Sequence, residues 1–290
     1  MPVKGRNQSA QALQVHGRLF LIDCGEGTQY RMTEYRVPMM KLDSVFLSHI
    51  HGDHVFGLPG LLSTLGMKGR QTPLNIFAPP AFGPLLKFFL SYYGDGIGFE
   101  ISFTPLKMKE PETILETKSI RVQAFPLSHG IETFGFLFQE KDPQLNVRKE
   151  AIAQYGLTLT EIGTLKRGED VVRADGSCIP ASEAAYKPFE PRSYAYCSDT
   201  APFAEASRWL QGTSVIYHET TYLQELAAQG AQRHHSTTLQ AAELAAAAGA
   251  GKLLIGHYSS RTEDIMAYQE ECRSIFPETY ATSDGEVYDI

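Results

Sequence analysis

Cysteine is scarce in this 290-residue chain: Cys24, Cys178, Cys197 and Cys272 are scattered, and none forms a C-x-x-C pair. A thiolate zinc cage and a disulfide framework are thereby excluded, and core packing is the expected place of all four. The N-terminus lacks the charged-then-apolar pattern of a signal peptide, and no apolar run is long enough to cross a bilayer, Leu85 to Leu90 being of core size. The expectation is a reduced, cytoplasmic protein without a membrane partner. Basic excess is also missing. The formal net charge of −7 argues against a uniformly basic surface for nucleic acid and leaves room only for a local positive groove. What the chain does have is 43% hydrophobic residues, enough to build one large α/β domain or two small ones.

One stretch concentrates metal-ligand chemistry. Ser48-His49-Ile50-His51-Gly52-Asp53-His54 follows the strand-like Ser44-Val45-Phe46-Leu47 and precedes Val55 to Met67, whose Leu58, Leu61, Leu62 and Leu65 recur at helical spacing. On such a strand-to-helix loop His49 and His51 point the same way, and Gly52 lets Asp53 and His54 turn in beside them, giving two adjacent metal sites. Imidazole nitrogen and carboxylate oxygen are the donors zinc takes where a coordination position stays open to water. Any one of these histidines alone would be an ordinary hydrogen-bonding residue.

Further ligand types recur at strand ends. Ala10 to Val15 pairs through His16-Gly17 with Arg18 to Asp23, and Asp23 to Gln29 follows as a glycine-rich turn in which Thr28 is expected to cap a helix reaching Arg36. Pro73 to Ala78 is a strand, Ala81 to Tyr93 a helix and Phe99 to Phe103 a strand; Ile120 to Leu127 ends at Ser128-His129-Gly130. Lys141 to Arg192 has no long periodic pattern and is expected to be an inserted arm, in which a basic-patch reading rests on Lys166-Arg167. Ser193 to Cys197 ends at Asp199, and Val215 to Tyr217 ends at His218-Glu219-Thr220-Thr221. His234-His235-Ser236-Thr237 leads into a helix to Ala248 that Ser236 or Thr237 caps and Gly249 stops. Lys252 to Gly256 precedes His257, and Asp264 to Phe276 is a helix. His49, His51, Asp53, His54, His129, Asp199 and His257 therefore converge on one sheet edge, with Asp199 placed to be shared between two ions. The βα alternation in both halves allows a pseudo-duplicated αββα sandwich.

The His-x-His-x-Asp-His pattern resembles the signature of the metallo-β-lactamase superfamily. Over nearly its whole length the sequence is similar to the ribonuclease Z family of tRNA 3′-processing endonucleases within it. That likeness is carried by Phe20 to Gln29, Val55 to Leu62, Ser128-His129-Gly130, Ser198-Asp199-Thr200, His218 to Tyr222 and His235-Ser236-Thr237-Thr238. The resemblance implies a four-layer αββα sandwich of class α/β spanning 1–290, with residues 141–192 as a tRNA-binding exosite arm. It implies two Zn2+ per subunit, manganese or another divalent ion being admissible: His49, His51 and His129 hold one, Asp53, His54 and His257 the other, and Asp199 bridges. It further implies precursor tRNA as substrate and a homodimer in which one subunit's arm holds RNA cut by the other. Two departures stand out. The family opens with a strand and a Gly-Thr-Gly-Ser-like loop before the region of Arg6 to Ser9, so an edge strand of the first sheet is expected to be missing, and the usual Gly-Pro pair near Leu157 to Thr160 is absent.

Two divalent ions side by side suit phosphodiester hydrolysis because they lower the pKa of water and neutralise a phosphate oxygen. Asp53 is the expected general base, His235 the proton donor to the leaving ribose oxygen, and Glu219 the carboxylate that holds the His235 ring. The products would be a 3′-hydroxyl on the tRNA and a 5′-phosphate on the trailer. A small-molecule hydrolase using the same ions on diesters, lactones or thioesters is the first rival, and a metal-stabilised RNA-binding module without catalysis the second. His16 and His218 are expected to be structural or solvated, and His234 is the adjacent residue that could be mistaken for His235.

Overall fold

The computed structural model describes residues 3–290. The chain divides into two compact units, one comprising the chain through Glu116 with Val122–Phe138 and Ser193–Ile290, the other Thr117–Arg121 with Gln139–Arg192.

The first unit is built on two sheets. In one, β1 (Gln11–Val15), β2 (Arg18–Ile22), β3 (Leu42–Phe46), β4 (Leu74–Ala78) and β5 (Ile101–Pro105) lie side by side in chain order. β1 and β2 are antiparallel through a two-residue turn whose His16 and Gly17 both have positive φ, 48° and 77°, the geometry that matches strand twist. β2 to β5 then run parallel. The other sheet has β6 (Glu112–Glu116), β7 (Ile120–Leu127), β8 (Thr133–Glu140), β9 (Ser193–Cys197), β10 (Val215–Glu219), β11 (Lys252–Gly256) and β12 (Thr279–Ala281) in the order β12-β11-β10-β9-β8-β7-β6.

Alternation along the strands decides which layer each side chain joins. Leu19, Leu21, Val45, Leu47, Leu74 and Ile76 pack outward with Leu58, Leu61, Leu62 and Leu65 of the helix Leu58–Met67. Phe20 and Phe46 point the other way, onto Phe136 and Phe138 of β8, with ring centroids 5.2–5.6 Å apart. On the far side, Ala195, Cys197, Ile216, Leu253 and Ile255 pack with Ala242, Ala245 and Ala248 and with Tyr268 and Cys272. Helix, sheet, sheet and helix form the four expected layers, and three of the four cysteines, Cys24, Cys197 and Cys272, are core residues while Cys178 is exposed.

Several local expectations change. Thr28 does not cap: its hydroxyl donates to the Gly25 carbonyl, the helix Thr28–Glu34 starts after left-handed Gly27, and it stops two residues before Arg36. Gly57 divides the helix expected from Val55 into Gly52–Val55 and Leu58–Met67. Its N–H donates to Cys24 O, and a Cβ there would come within 1.9 Å of Gly25 O, so the turn after β2 packs backbone to backbone on the histidine loop. Thr237, rather than Ser236, caps the helix Thr238–Ala247, in a reciprocal box with Gln240.

The second unit contains the helices Lys149–Tyr155 and Leu159–Lys166, the latter begun by a Thr158–Glu161 capping box. It has a core of its own around Ala151, Leu157, Leu165, Val171 and Ile179. At its base the Glu140 N–H donates to Arg192 O at 2.9 Å, and the Arg192 guanidinium returns two bonds to the Glu140 carboxylate at 3.0 and 2.7 Å. Among the described residues no helix is long and apolar enough to cross a membrane.

Candidate metal centre

Strand ends bring the candidate ligands together. His49 follows β3 and Phe46, with Ser48 fixed by its N–H to Asp23 Oδ1 at 2.8 Å. His129 follows β7, Asp199 follows β9, and His257 follows β11 at φ 58°, a left-handed conformation uncommon outside glycine. His49, His51, His129 and Asp199 each offer a ligand atom within 4.8 Å of the others; Asp53, His54 and His257 do the same, and so do Asp199, His235 and His257.

Asp199 stands between the first two groups. Its Oδ2 is 3.7 Å from His49 Nε2 and 3.9 Å from His129 Nε2, whereas Oδ1 is 3.7 Å from His54 Nε2 and 3.2 Å from His257 Nε2. The opposite ring nitrogens are each held from behind. His49 Nδ1 meets Ser48 Oγ at 3.0 Å, His54 Nδ1 meets Asp23 Oδ2 at 2.8 Å, His129 Nδ1 meets His234 O at 2.9 Å and His257 Nδ1 meets Thr221 Oγ1 at 3.0 Å. Such partners fix ring orientation and tautomer so that the inward nitrogen presents a lone pair.

Those inward atoms fit a cation. His54 Nε2, His129 Nε2 and Asp199 Oδ1 are buried without a hydrogen-bond partner, a costly state for atoms that point at one another. His49 Nε2 and His51 Nδ1 are 3.0 Å apart, close to the roughly 3.3 Å between two imidazole nitrogens on one tetrahedral zinc. Burial and the neighbouring imidazoles drive His49 far below the ordinary histidine range, and burial also lowers His129. At His54 burial disfavours charge, yet Asp23, Asp199 and Asp53 outweigh it and push the pKa up to about 9. The carboxylates thus favour positive charge at this spot. His51 is solvent-exposed and Asp53 half-buried, so the cluster opens to the surface on their side.

Glu219, wholly buried, accepts five hydrogen bonds: His235 Nδ1, Ser236 N and Thr200 N at Oε1, at 2.9, 3.0 and 3.1 Å, and Thr221 N and Oγ1 at Oε2, at 2.9 and 2.7 Å. Burial opposes the ionisation of both members of the pair, but the bond to Glu219 raises His235 above its usual range and the same bond holds Glu219 below its own. His218 is buried with Nδ1 on the Glu219 carbonyl at 2.6 Å, a structural placement.

Asp23, which the sequence did not single out, stands behind the candidate ligands. Besides His54 and Ser48 it accepts the Tyr196 hydroxyl at 2.6 Å, and it holds φ 58°. The signal for it was an acidic residue ending a fully buried strand, Leu19-Phe20-Leu21-Ile22, which a plain turn does not require.

A ribonuclease Z of Cytophaga hutchinsonii is 40% identical over 295 residues, covering 99% of this chain and 92% of that one. The chain belongs to the ribonuclease Z family. It carries the metallo-β-lactamase sandwich. Human tRNase Z, short form, superposes with a TM-score of 0.72 at 20% identity, covering 100% of this chain and 95% of that one. The metallo-β-lactamase fold protein YhfI of Bacillus subtilis gives 0.70 at 18% identity, covering 99% and 94%. The family model described as anti-Pycsar protein Apyc1 matches residues 3–145, a stretch that includes His49 to His54 and His129 but not Asp199 or His257. As a member of the ribonuclease Z family with His and Asp clusters placed to chelate a divalent ion, the protein is a metal-dependent hydrolase.

Proposed function

We propose that the protein removes the 3′ trailer of precursor tRNA with two divalent ions, zinc or a substitute such as manganese, leaving a 3′-hydroxyl on the tRNA and a 5′-phosphate on the trailer. The observation that carries the two-ion reading is the split of Asp199, whose oxygens face different histidine sets. His49, His51 and His129 would hold one ion and Asp53, His54 and His257 the other, with Asp199 shared. When bound, such ions polarise the scissile phosphate and lower the pKa of water.

The chain's own groups supply the proton movements. Asp53, half-buried and kept below the usual carboxylate range by the facing His54 and His257 although burial opposes this, orients the attacking water and takes its proton. His235, held by Glu219 at Nδ1 and grouped with Asp199 and His257, protonates the departing ribose 3′-oxygen. Selection of tRNA rests on the names of the relatives and on a groove of about 640 Å3 in the second unit, lined by Arg148, Lys149, Lys166 and Tyr186. There the Arg148 guanidinium lies 5.3 Å over the Tyr186 ring. Residues 141–192 act in this reading as the arm that grips RNA.

The enzyme would work as a homodimer. The exposed Leu85, Phe88 and Tyr92, on one face of the helix Phe82–Tyr93, support burial against a second copy, and light scattering showing only monomer would remove this part. Incubating the zinc-loaded protein with a 3′-extended precursor tRNA and mapping both ends tests the whole. The expected result is one cut with the stated ends; cleavage of bis(p-nitrophenyl) phosphate with the precursor left intact would favour a small-diester hydrolase instead.

A further inference from the structure

Thr221 lies between the two working parts of the site. Its Oγ1 is 2.7 Å from Glu219 Oε2, 3.0 Å from His257 Nδ1 and 3.2 Å from His235 Nδ1. A hydroxyl has one proton to give. The ionised carboxylate is both nearer and stronger as an acceptor than the His257 carbonyl at 3.1 Å, so the proton goes to Glu219 Oε2. Toward His257 the oxygen then has only lone pairs, and His257 Nδ1 must be the donor. That leaves His257 Nε2 as a bare lone pair 3.2 Å from Asp199 Oδ1, two acceptors facing each other with room for a cation to satisfy both. Glu219 Oε1 meanwhile accepts from His235 Nδ1 at 2.9 Å. One carboxylate thus orders the His235 proton directly and the His257 proton through the Thr221 hydroxyl.

We propose that Thr221 is a positioning residue that fixes the tautomer and ring angle of His257 for a divalent ion and aligns Glu219 for His235. It touches neither substrate nor the reacting atoms. The inference rests on the two-ion reading given above. Thr221 is 7% exposed, so valine, which keeps its shape and loses the hydroxyl, is the informative replacement.

Titrating the metal-free protein with zinc in competition with a chromogenic chelator resolves the bound equivalents. Thr221→Val is expected to take one equivalent like the parent and the other about 10–100-fold more weakly, and Thr221→Ser to restore both. Two equivalents of parental affinity in Thr221→Val would overturn the role, as would Thr221→Ser no tighter than Thr221→Val. A parent protein binding fewer than two equivalents would overturn the two-ion site instead, which separates the two failures. Should Thr221→Val lose its far-ultraviolet circular dichroism, Thr221→Ala against Thr221→Ser decides in the same way: alanine weak and serine parental supports the inference, and alanine parental ends it.

Discussion

Asp23 Oδ2 lies 2.8 Å from His54 Nδ1, so a carboxylate from the end of β2 sets the ring of a histidine from the loop after β3. The same carboxylate accepts from Ser48 N, Ser48 Oγ and Tyr196 Oη, none of which has access to water. Asp23→Asn tolerates the left-handed backbone but loses the charge and part of the acceptor capacity. Metal affinity is expected to fall about 10–100-fold, measured by zinc competition. Tyr196→Phe, which removes this donor and the acceptor that meets Ser9 Oγ, should cost about 0.5–1.5 kcal/mol in urea unfolding and leave the second zinc equivalent bound.

Asp53 contributes to chemistry more than to folding. Its side chain is 39% exposed, and its backbone carbonyl, which any residue supplies, accepts from Ser9 N at 3.1 Å. Asp53→Ala should therefore reduce kcat on precursor tRNA by about 10²-fold or more while the metal-free protein melts near the parent temperature. Loss of fold together with activity would contradict this.

The Glu219–His235 pair predicts a change of pH profile with a definite sign. Because Glu219 raises the His235 pKa, the protonated donor persists to higher pH than for a free histidine, and activity is lost as pH rises through that raised value. Glu219→Gln removes the raising influence, so the alkaline fall in kcat should move to lower pH. In His235→Ala that limb should vanish from the rate profile.

Removing metal should loosen the site itself. His54 Nε2, His129 Nε2 and Asp199 Oδ1 have no internal partner, so the stabilisation by a bound cation is lost on chelation. At a free ion concentration 100 times Kd it amounts to about 2.7 kcal/mol, read as a drop in Tm on adding chelator. Alanine at His129 should shrink that difference, since the first set of ligands is then incomplete.

Much of the candidate site was legible because its candidate ligands are local: His49 to His54 is continuous, and His129, Asp199 and His257 each end a strand recognisable by its apolar run. The residues behind the ligands were not, since Asp23 and Thr221 acquire their roles only when strands distant in sequence become neighbours. Turn chemistry misled at Thr28, where a good capping residue falls one position inside a helix that left-handed Gly27 already begins. The strand Thr133–Glu140 carries Phe134, Phe136 and Phe138 at alternate positions, but it is buried on both faces and lacks the polar alternation that marks a half-buried strand. In Lys149–Tyr155 and Leu159–Lys166 the helices are too short for periodicity to emerge, and the Thr158–Glu161 capping box was their one distinct mark.

Glu140 and Arg192, clasped through backbone and side chain alike, bring the two ends of a long excursion to neighbouring positions. A detour whose entrance and exit are stapled together, and which fills its own interior, transmits little of its length to the strands that carry it. Surface turns beyond that clasp can therefore lengthen at little thermodynamic cost to the sheet that carries them.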